Sequence, residues 1–322
     1  MKSRIWITWE NQRRSIELAK HFGCELFIVD YKGKGRYFLS IAKTLQILFK
    51  KKPEVLFVQN PSMVLAAVAC LYGIVTRVPV VVDRHSNFML TNKKRSALYV
   101  VVFSMLNYLT IKFASLTIIT NKYIADIVKE NRGTPFILPD KIPTLQKSKD
   151  VHLDGKYNFL VISSFAADEP IGNVIEAFNT LDESFRCYIT GNCKKADRSL
   201  IESASERVVF TGFLAEQDYM DMVFAVDGII VLTEVDYTML CGCYEATYAC
   251  KPLITSDKSV LTDYFRGALF IDNSAESIRS AVIKVSENLN SYTDSVKLMK
   301  QELVPRWDEM SRNLERLIQK FE

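Results

Sequence analysis

Short apolar runs rich in Val, Ile, Leu and Phe alternate along the whole chain with longer stretches whose apolar positions recur at helical spacing. The runs predict strands at Arg4–Thr8, Glu25–Val29, Val55–Gln59, Val80–Asp83 and Leu116–Thr120. Between them the pattern predicts helices at Ser15–Phe22, Tyr37–Lys51, Val64–Val75, Ser96–Phe113 and Lys122–Asn131. Strand–helix repetition predicts a doubly wound parallel sheet, because a crossover helix returns the chain to start a parallel neighbour. Phe136-Ile137-Leu138-Pro139 closes this series. A second one opens at Phe159-Leu160-Val161-Ile162 and continues with strands at Arg186–Thr190, Val208–Phe210, Gly228–Leu232, Pro252–Thr255 and Leu269–Ile271.

The pattern therefore predicts two α/β halves, residues 1–150 and 151–290. The polar, unpatterned stretch Asp140–Lys156 reads as the linker between them. Residues 291–322 are helical by period. Pro305 interrupts them and predicts a kink or a new helix, since proline removes a backbone donor and clashes with the preceding turn. Trp307 is either an anchor for this tail or an ordinary core residue. Two stretches are unusually apolar, Met63–Thr76 and Ala97–Ile111, and both fall short of the roughly 20 apolar residues of a spanning helix. Buried crossover helices are the plain reading of both. For the second, preceded by Asn92-Lys93-Lys94-Arg95, an interfacial membrane helix competes. The opening Met1-Lys2-Ser3-Arg4-Ile5-Trp6-Ile7 reads as a strand rather than a signal peptide, its apolar core being too short.

Composition changes this picture in one respect. The net charge is only +4, yet residues 1–156 hold 25 Lys and Arg against 11 Asp and Glu, while residues 157–322 hold 16 against 26. Such asymmetry points to an anionic membrane surface as partner of the first half, and no motif points to nucleic acid. Solvated basic helix faces are the bland alternative. The seven cysteines show no C-x-x-C pair and no zinc spacing, so reduced thiols in a cytoplasmic protein are expected.

One segment carries most of the chemistry, VLTEVDYTMLCGCYEATYACKPLITSD, from Val231 to Asp257. An apolar strand runs into a polar corner, a helix carrying Glu245 follows, and a second strand comes after Cys250-Lys251-Pro252. A strand end facing a helix N-terminus is where open α/β sheets bind ligands, and its free N–H groups favour an anion such as a diphosphate. The segment resembles the donor-sugar signature of group 1 glycosyltransferases, which have the GT-B fold. In that fold two Rossmann-like domains face an interdomain cleft, and a terminal helix crosses back to the first domain.

The resemblance implies that Glu245 holds the donor ribose. The family's first glutamate falls on Tyr237, so the neighbouring Asp236 is expected to grip the sugar, to cap the helix, or both. Thr238, Met239, Leu240 and Cys241 are expected to offer backbone N–H groups to the diphosphate. Gly212-Phe213 matches the family turn near the base. The loop Val161–Pro170, with Ser163-Ser164 and Asp168-Glu169, lacks the family's Arg and Lys and is more similar to the β-mannosyltransferases of the dolichol pathway; Ser164 is the donor-side candidate there. Lys194 and Lys195 are candidates for the missing positive charge, or plain surface lysines.

In the first half, Trp6–Ser15 stands where the family has a glycine-rich loop. Arg13 and Arg14 oppose the helix dipole, which points to another anion: a lipid diphosphate or a carboxylate of the acidic second half. Glu10, Arg13, Arg14, Asn60 and Asp83 are the acceptor-side candidates. His85, after Val81-Val82-Asp83-Arg84, is the candidate acid, base or transition-state residue. The resemblance implies a metal-independent hexosyltransferase, with retention weakly favoured. Its co-substrate is a nucleotide diphosphate sugar, and no cofactor is required. A lipid-linked or other glycan acceptor at the inner face of a cell membrane, in bacterial capsule or exopolysaccharide assembly, fits the basic first half. A nucleotide-sugar epimerase and a non-catalytic GT-B partner subunit are the alternatives.

Overall fold

A computed structural model describes residues 3–60, 62–84 and 97–321. The chain forms two compact units, Met1–Lys141 with Trp307–Glu322, and Ile142–Arg306. The first unit contains β1 (Arg4–Thr8), α1 (Arg13–His21), β2 (Glu25–Ile28), α2 (Arg36–Lys51), β3 (Val55–Asn60), α3 (Met63–Thr76), β4 (Val80–Arg84), α4 (Ala97–Phe113), β5 (Leu116–Ile119), α5 (Lys122–Glu130) and β6 (Pro135–Ile137). Its six strands are all parallel in the order β2-β1-β3-β4-β5-β6. Strand β3 (VLFVQN) is buried along its full length, as expected of a central strand covered on both faces. On one face Ile5, Ile7, Leu56 and Val58 pack against Leu48 of α2 and Leu65, Ala66 and Ala69 of α3. On the other, Trp6, Phe57 and Val81 pack against Leu18 of α1 and against Trp307, Leu314 and Ile318.

The second unit contains β7 (Tyr157–Val161), α6 (Ile171–Asn179), β8 (Phe185–Thr190), α7 (Arg198–Glu202), β9 (Val208–Gly212), α8 (Glu216–Ala225), β10 (Gly228–Val231), α9 (Cys241–Ala249), β11 (Leu253–Ser256), α10 (Ser259–Thr262), β12 (Leu269–Ile271), α11 (Ala275–Glu287) and the start of α12 (Leu289–Gln319). Its sheet is also six-stranded and parallel, in the order β12-β11-β10-β7-β8-β9. The chain reverses its direction of growth between β7 and β10, and between β1 and β3 in the first unit. Such switch points leave a crevice at the carboxyl ends of the strands.

Three details go beyond the expectations. The stretch 140–156 has no regular structure, yet it is anchored by side chains along it. Asp140 binds into the first unit, and Ile142 and Leu145 are buried in the core of the second. The Asp221 carboxylate accepts from the backbone N–H of Ser148 at 2.7 Å and its hydroxyl at 2.7 Å. Pro305 does not break the tail, since α12 runs through it. Pro305 is exposed, so water can satisfy the carbonyl it leaves unpaired, while Leu303 and Trp307 on either side are buried. Trp307 is a core residue of the first unit, and its indole donates to the Pro139 carbonyl at 3.0 Å. Finally, the three-residue strand β6 is too short to register as a period.

Candidate functional site

The switch point of the second unit brings together the loops after β7 and β10. Glu169 organises the first. Its carboxylate accepts from the Ser163 hydroxyl at 2.6 Å, the Ser164 hydroxyl at 3.0 Å, and the backbone N–H groups of Ser164 and Ala166. Phe165 turns through a left-handed conformation, and Gly191 makes room for the loop. A Cβ on Gly191 would stand 2.3 Å from the Ser163 carbonyl oxygen. Ser164, a donor-side candidate, is therefore bonded to a resident carboxylate. Asp168 ties this loop to the next: it accepts from the Thr233 hydroxyl at 2.7 Å, and its carbonyl accepts from the Glu234 N–H at 2.7 Å. Asn273 closes the corner by donating to the Thr233 carbonyl at 3.0 Å and to the Glu234 carboxylate at 3.2 Å.

Helix α9 opens beyond this corner, at Cys241 rather than near Thr238. Leu240 occupies the N-cap position and offers no side-chain cap. Within the first turn the Cys243 N–H bonds back to the Leu240 carbonyl at 3.1 Å, so Cys241 and Gly242 present the leading N–H groups. Thr238, Met239 and Leu240 precede the helix without regular structure, with Met239 and Leu240 packed on the core. Gly242 is required by close approach. A Cβ there would stand 2.9 Å from the side chains of Ile162 and Val231, so the helix start is held against the ends of β7 and β10. Glu245, one turn in, is 8% exposed and accepts from the Tyr219 phenol of α8.

Asp236 lies in an exposed turn and does not cap the helix. Its carboxylate pairs with Lys258 at 3.0 Å. The Lys258 side chain is only 19% exposed. It follows the end of β11, next to β10 in the sheet, and sequence reasoning missed it. The only signal was its position, one residue past Asp257 at a strand end. Of the two lysines proposed from sequence, Lys195 reaches the loop, donating to the Ser164 carbonyl at 3.4 Å; Lys194 is exposed on the same 3-10 turn. Gly212 ends β9 in a left-handed conformation, and the Phe213 ring that follows is 89% exposed. The buried thiols of Cys187 and Cys243 are pushed up by burial, that of Cys243 to about 12, and none of the seven cysteines is in a disulfide. Among the described residues, no group of three His, Cys, Asp or Glu is placed to hold a metal ion.

In the first unit, the acceptor-side candidates divide. Arg14 and Asp83 are buried against each other. The guanidinium donates from Nε at 3.1 Å to each Asp83 oxygen and from Nη2 at 2.9 Å, while Nη1 donates to Asp140 at 2.6 Å and Nη2 to the Leu138 carbonyl. Burial alone would lower the Arg14 pKa. The attraction of Asp83 and Asp140, with their hydrogen bonds, outweighs it and holds the group above its ordinary value. The anion at this helix start is thus internal, neither a ligand nor a carboxylate of the second half, and this corrects the expectation for both residues. Asn60 is buried and donates to the Met63 sulfur at 3.4 Å. Arg13 is half-exposed and pairs with Glu17 at 3.4 Å. Exposed Glu10 accepts from the Gln12 amide at 2.7 Å. His85 lies outside the described residues. Arg84 before it is buried, donates to Asn107 at 2.9 Å and to Thr110, and burial pushes its pKa down to about 9.

Glu10 also lines a pocket of about 220 Å³ at the ends of β1 and β2, with Trp9, Asp30, Tyr31, Lys32, Arg36, Tyr37, Ser40 and Ser62. Only Glu10 among these was singled out from sequence. The aromatic residues follow strands individually, and nothing in their spacing brings them together.

No protein-family model matches the sequence, and comparison with curated proteins finds no match. Solved structures do match. Sucrose-phosphate synthase from Thermosynechococcus elongatus superposes with a TM-score of 0.76 at 11% identity, covering 99% of each chain. HepE of Anabaena, in complex with UDP and glucose, superposes with a TM-score of 0.73 at 12% identity, covering 99% of this chain and 100% of that one. A candidate UDP-N-acetylglucosamine 2-epimerase from Listeria monocytogenes gives 0.65 at 12% identity, covering 92% and 91%. The chain has the GT-B fold of its glycosyltransferase neighbours, the first two of these structures.

Proposed function

We propose that this protein is a glycosyltransferase that moves a hexosyl unit from a nucleotide diphosphate sugar to an acceptor hydroxyl. One observation carries the reading: α9 starts uncapped at the switch point of the second sheet, with Glu245 one turn inside it. The N–H groups of Cys241 and Gly242 face the position of a diphosphate, and the helix dipole adds to their attraction. The Glu245 carboxylate, oriented by Tyr219, accepts from ribose hydroxyls. Phe213 offers an exposed ring on which a base stacks. Lys258 and Lys195 supply the positive charge that the loop after β7 lacks, since Glu169 occupies the N–H groups there.

In the transfer, the acceptor oxygen forms a bond to the anomeric carbon as the bond to the diphosphate oxygen breaks. The departing charge is met by the α9 N-terminus and Lys258 without a metal in this scheme, a preorganised stabilisation of developing charge. Asp236, paired with Lys258, is the candidate group at the sugar. HepE is described with UDP and with UDP-glucose, which favours a uridine donor. The basic first half supports a lipid-linked glycan as acceptor and peripheral attachment to the cytoplasmic face of a membrane, as in capsule or exopolysaccharide assembly. Among the described residues no helix is long and apolar enough to cross a membrane.

The test is nucleotide release from a panel of UDP- and GDP-sugars, with a bacterial lipid extract as acceptor source. Extract-dependent release from one donor, with sugar appearing in the lipid fraction, is expected. Release of no nucleotide from any donor overturns the reading, and conversion of the donor to an isomer or a free epimer without acceptor replaces it with the epimerase reading.

A further inference from the structure

At the switch point of the second unit the best-placed cation is already neutralised, and its two partners are unequal. Lys258 belongs to the loop after β11, yet its ammonium lies 3.0 Å from Oδ1 of Asp236, in the turn between β10 and α9. The lysine is fixed. Its side chain is largely buried, its N–H donates to the Ser256 carbonyl at 2.8 Å, and its carbonyl accepts from the N–H groups of Leu261 at 2.8 Å and Thr262 at 2.9 Å. Val260 and Leu261 behind it are buried in the core. The Asp236 side chain is 74% exposed.

The chain on either side of Asp236 is held. Thr233 is tied to Asp168 and Asn273, and Leu240 packs on the core. The other carboxylates of the corner accept from neutral donors: Asp168 from Thr233, Glu169 from Ser163 and Ser164, Glu234 from Asn273. Of these four, among the described residues, Asp236 is the one paired with a cation. An anion that enters here meets an ammonium that stays and a carboxylate that can turn away, because an ion pair exposed on one side is weak.

We infer that Asp236 and Lys258 form an exchange pair: the diphosphate of the donor takes Lys258, and the displaced Asp236 carboxylate takes a hydroxyl of the donor's sugar. The inference rests on the transferase reading and deepens it by assigning what separates a sugar nucleotide from a bare one. A nucleoside diphosphate breaks the ion pair and returns only water to Asp236. A sugar nucleotide breaks the same pair and gives Asp236 a hydroxyl. A contact that the wrong ligand must break without replacement produces specificity as effectively as a new contact to the right one. Without the pair the bare nucleotide, whose terminal phosphate carries more negative charge than its sugar ester, would be the better ligand for Lys258. The same competition favours departure of the nucleotide after transfer, since Asp236 returns to Lys258 once the sugar has left.

The experiment is calorimetric titration of the full chain with UDP, GDP, UDP-glucose and GDP-mannose. The proteins are the wild type, Asp236→Ala, Lys258→Ala and the double variant. Asp236→Ala tightens the bare nucleotide about two- to fivefold, the worth of a partly exposed ion pair. Asp236→Asn, which keeps the shape of the turn and removes the charge, does the same. Lys258→Ala weakens the bare nucleotide roughly tenfold, the loss of a charged hydrogen bond. In that background Asp236→Ala no longer tightens it, and this coupling distinguishes exchange from the field of a removed charge. The preference for sugar nucleotide over bare nucleotide falls in Asp236→Ala. Equal tightening with and without Lys258 overturns the inference. So does bare-nucleotide binding that Asp236→Ala leaves unchanged or weakens, or a sugar preference that it leaves intact. Failure of the wild type to bind any of the four ligands rejects the transferase reading and the exchange with it. Nucleotide binding that depends on Glu245 but shows no coupling between Asp236 and Lys258 rejects the exchange alone.

Discussion

A cation in the first turn of a helix opposes the helix dipole, and Arg14 is stable there because Asp83 and Asp140 surround its guanidinium. The pair is buried, so its partners cannot be removed singly. Arg14→Ala or Asp83→Ala leaves an uncompensated charge and is expected to destabilise the first unit by about 3–5 kcal/mol. Replacing both by apolar residues of similar volume is expected to recover much of that loss. Urea denaturation of the three variants checks this; single variants with wild-type midpoints would return the two residues to the acceptor site. The same pair shows what residue-level reading can see. That Arg14 opposes a dipole and so needs an anion is legible in sequence. Which anion Arg14 meets is not, because Asp83 lies 69 residues away and is brought to it only by the sheet. Lys258 and the Trp9–Tyr37 pocket escape for the same reason, each being made by neighbouring strand ends distant in sequence.

At the scale of elements, the strands and helices of the first half are legible from periodicity, since each apolar run is long enough to show its period. The start of α9 is not. The chain from Thr233 to Leu240 carries Asp and Thr residues of the kind that cap a helix, but Thr233 is committed to Asp168 and Asp236 to Lys258, and the helix starts at Cys241. The anchor of the stretch 140–156 is not legible for a related reason: that stretch is polar and without pattern, and its anchor is Asp221 on α8. Hydrogen bonds from the Ser148 hydroxyl and N–H hold the Asp221 carboxyl down to about 2. A depressed carboxyl contributes stability that is complete above its unfolded pKa, roughly 3.9, and is lost as pH falls towards the folded value. Asp221→Asn is therefore expected to be less stable than wild type near neutrality. The gap between their urea midpoints should narrow as pH falls from about 4 to about 2. A gap that stays constant over that range would show that this carboxylate does not hold the connection.

For the whole molecule, two doubly wound sheets follow from the repetition of strand and helix. What sequence does not convey is where each sheet reverses, and that determines which loops share a crevice. The contrast in charge gains a structural meaning: the basic excess includes three helices without a single acidic residue. At its switch point the acidic second half presents the start of α9, with Lys258, paired with Asp236, and Lys195 on neighbouring loops. The central claim is that this corner holds a nucleotide diphosphate through Glu245 and the start of α9. Calorimetric titration of the full chain with UDP and with GDP tests it most directly. One of the two is expected to bind with one site per chain, and Glu245→Ala to weaken it roughly ten- to hundredfold, the loss of hydrogen bonds to a charged group. Binding of neither nucleotide, or equal affinity in Glu245→Ala and wild type, would contradict it.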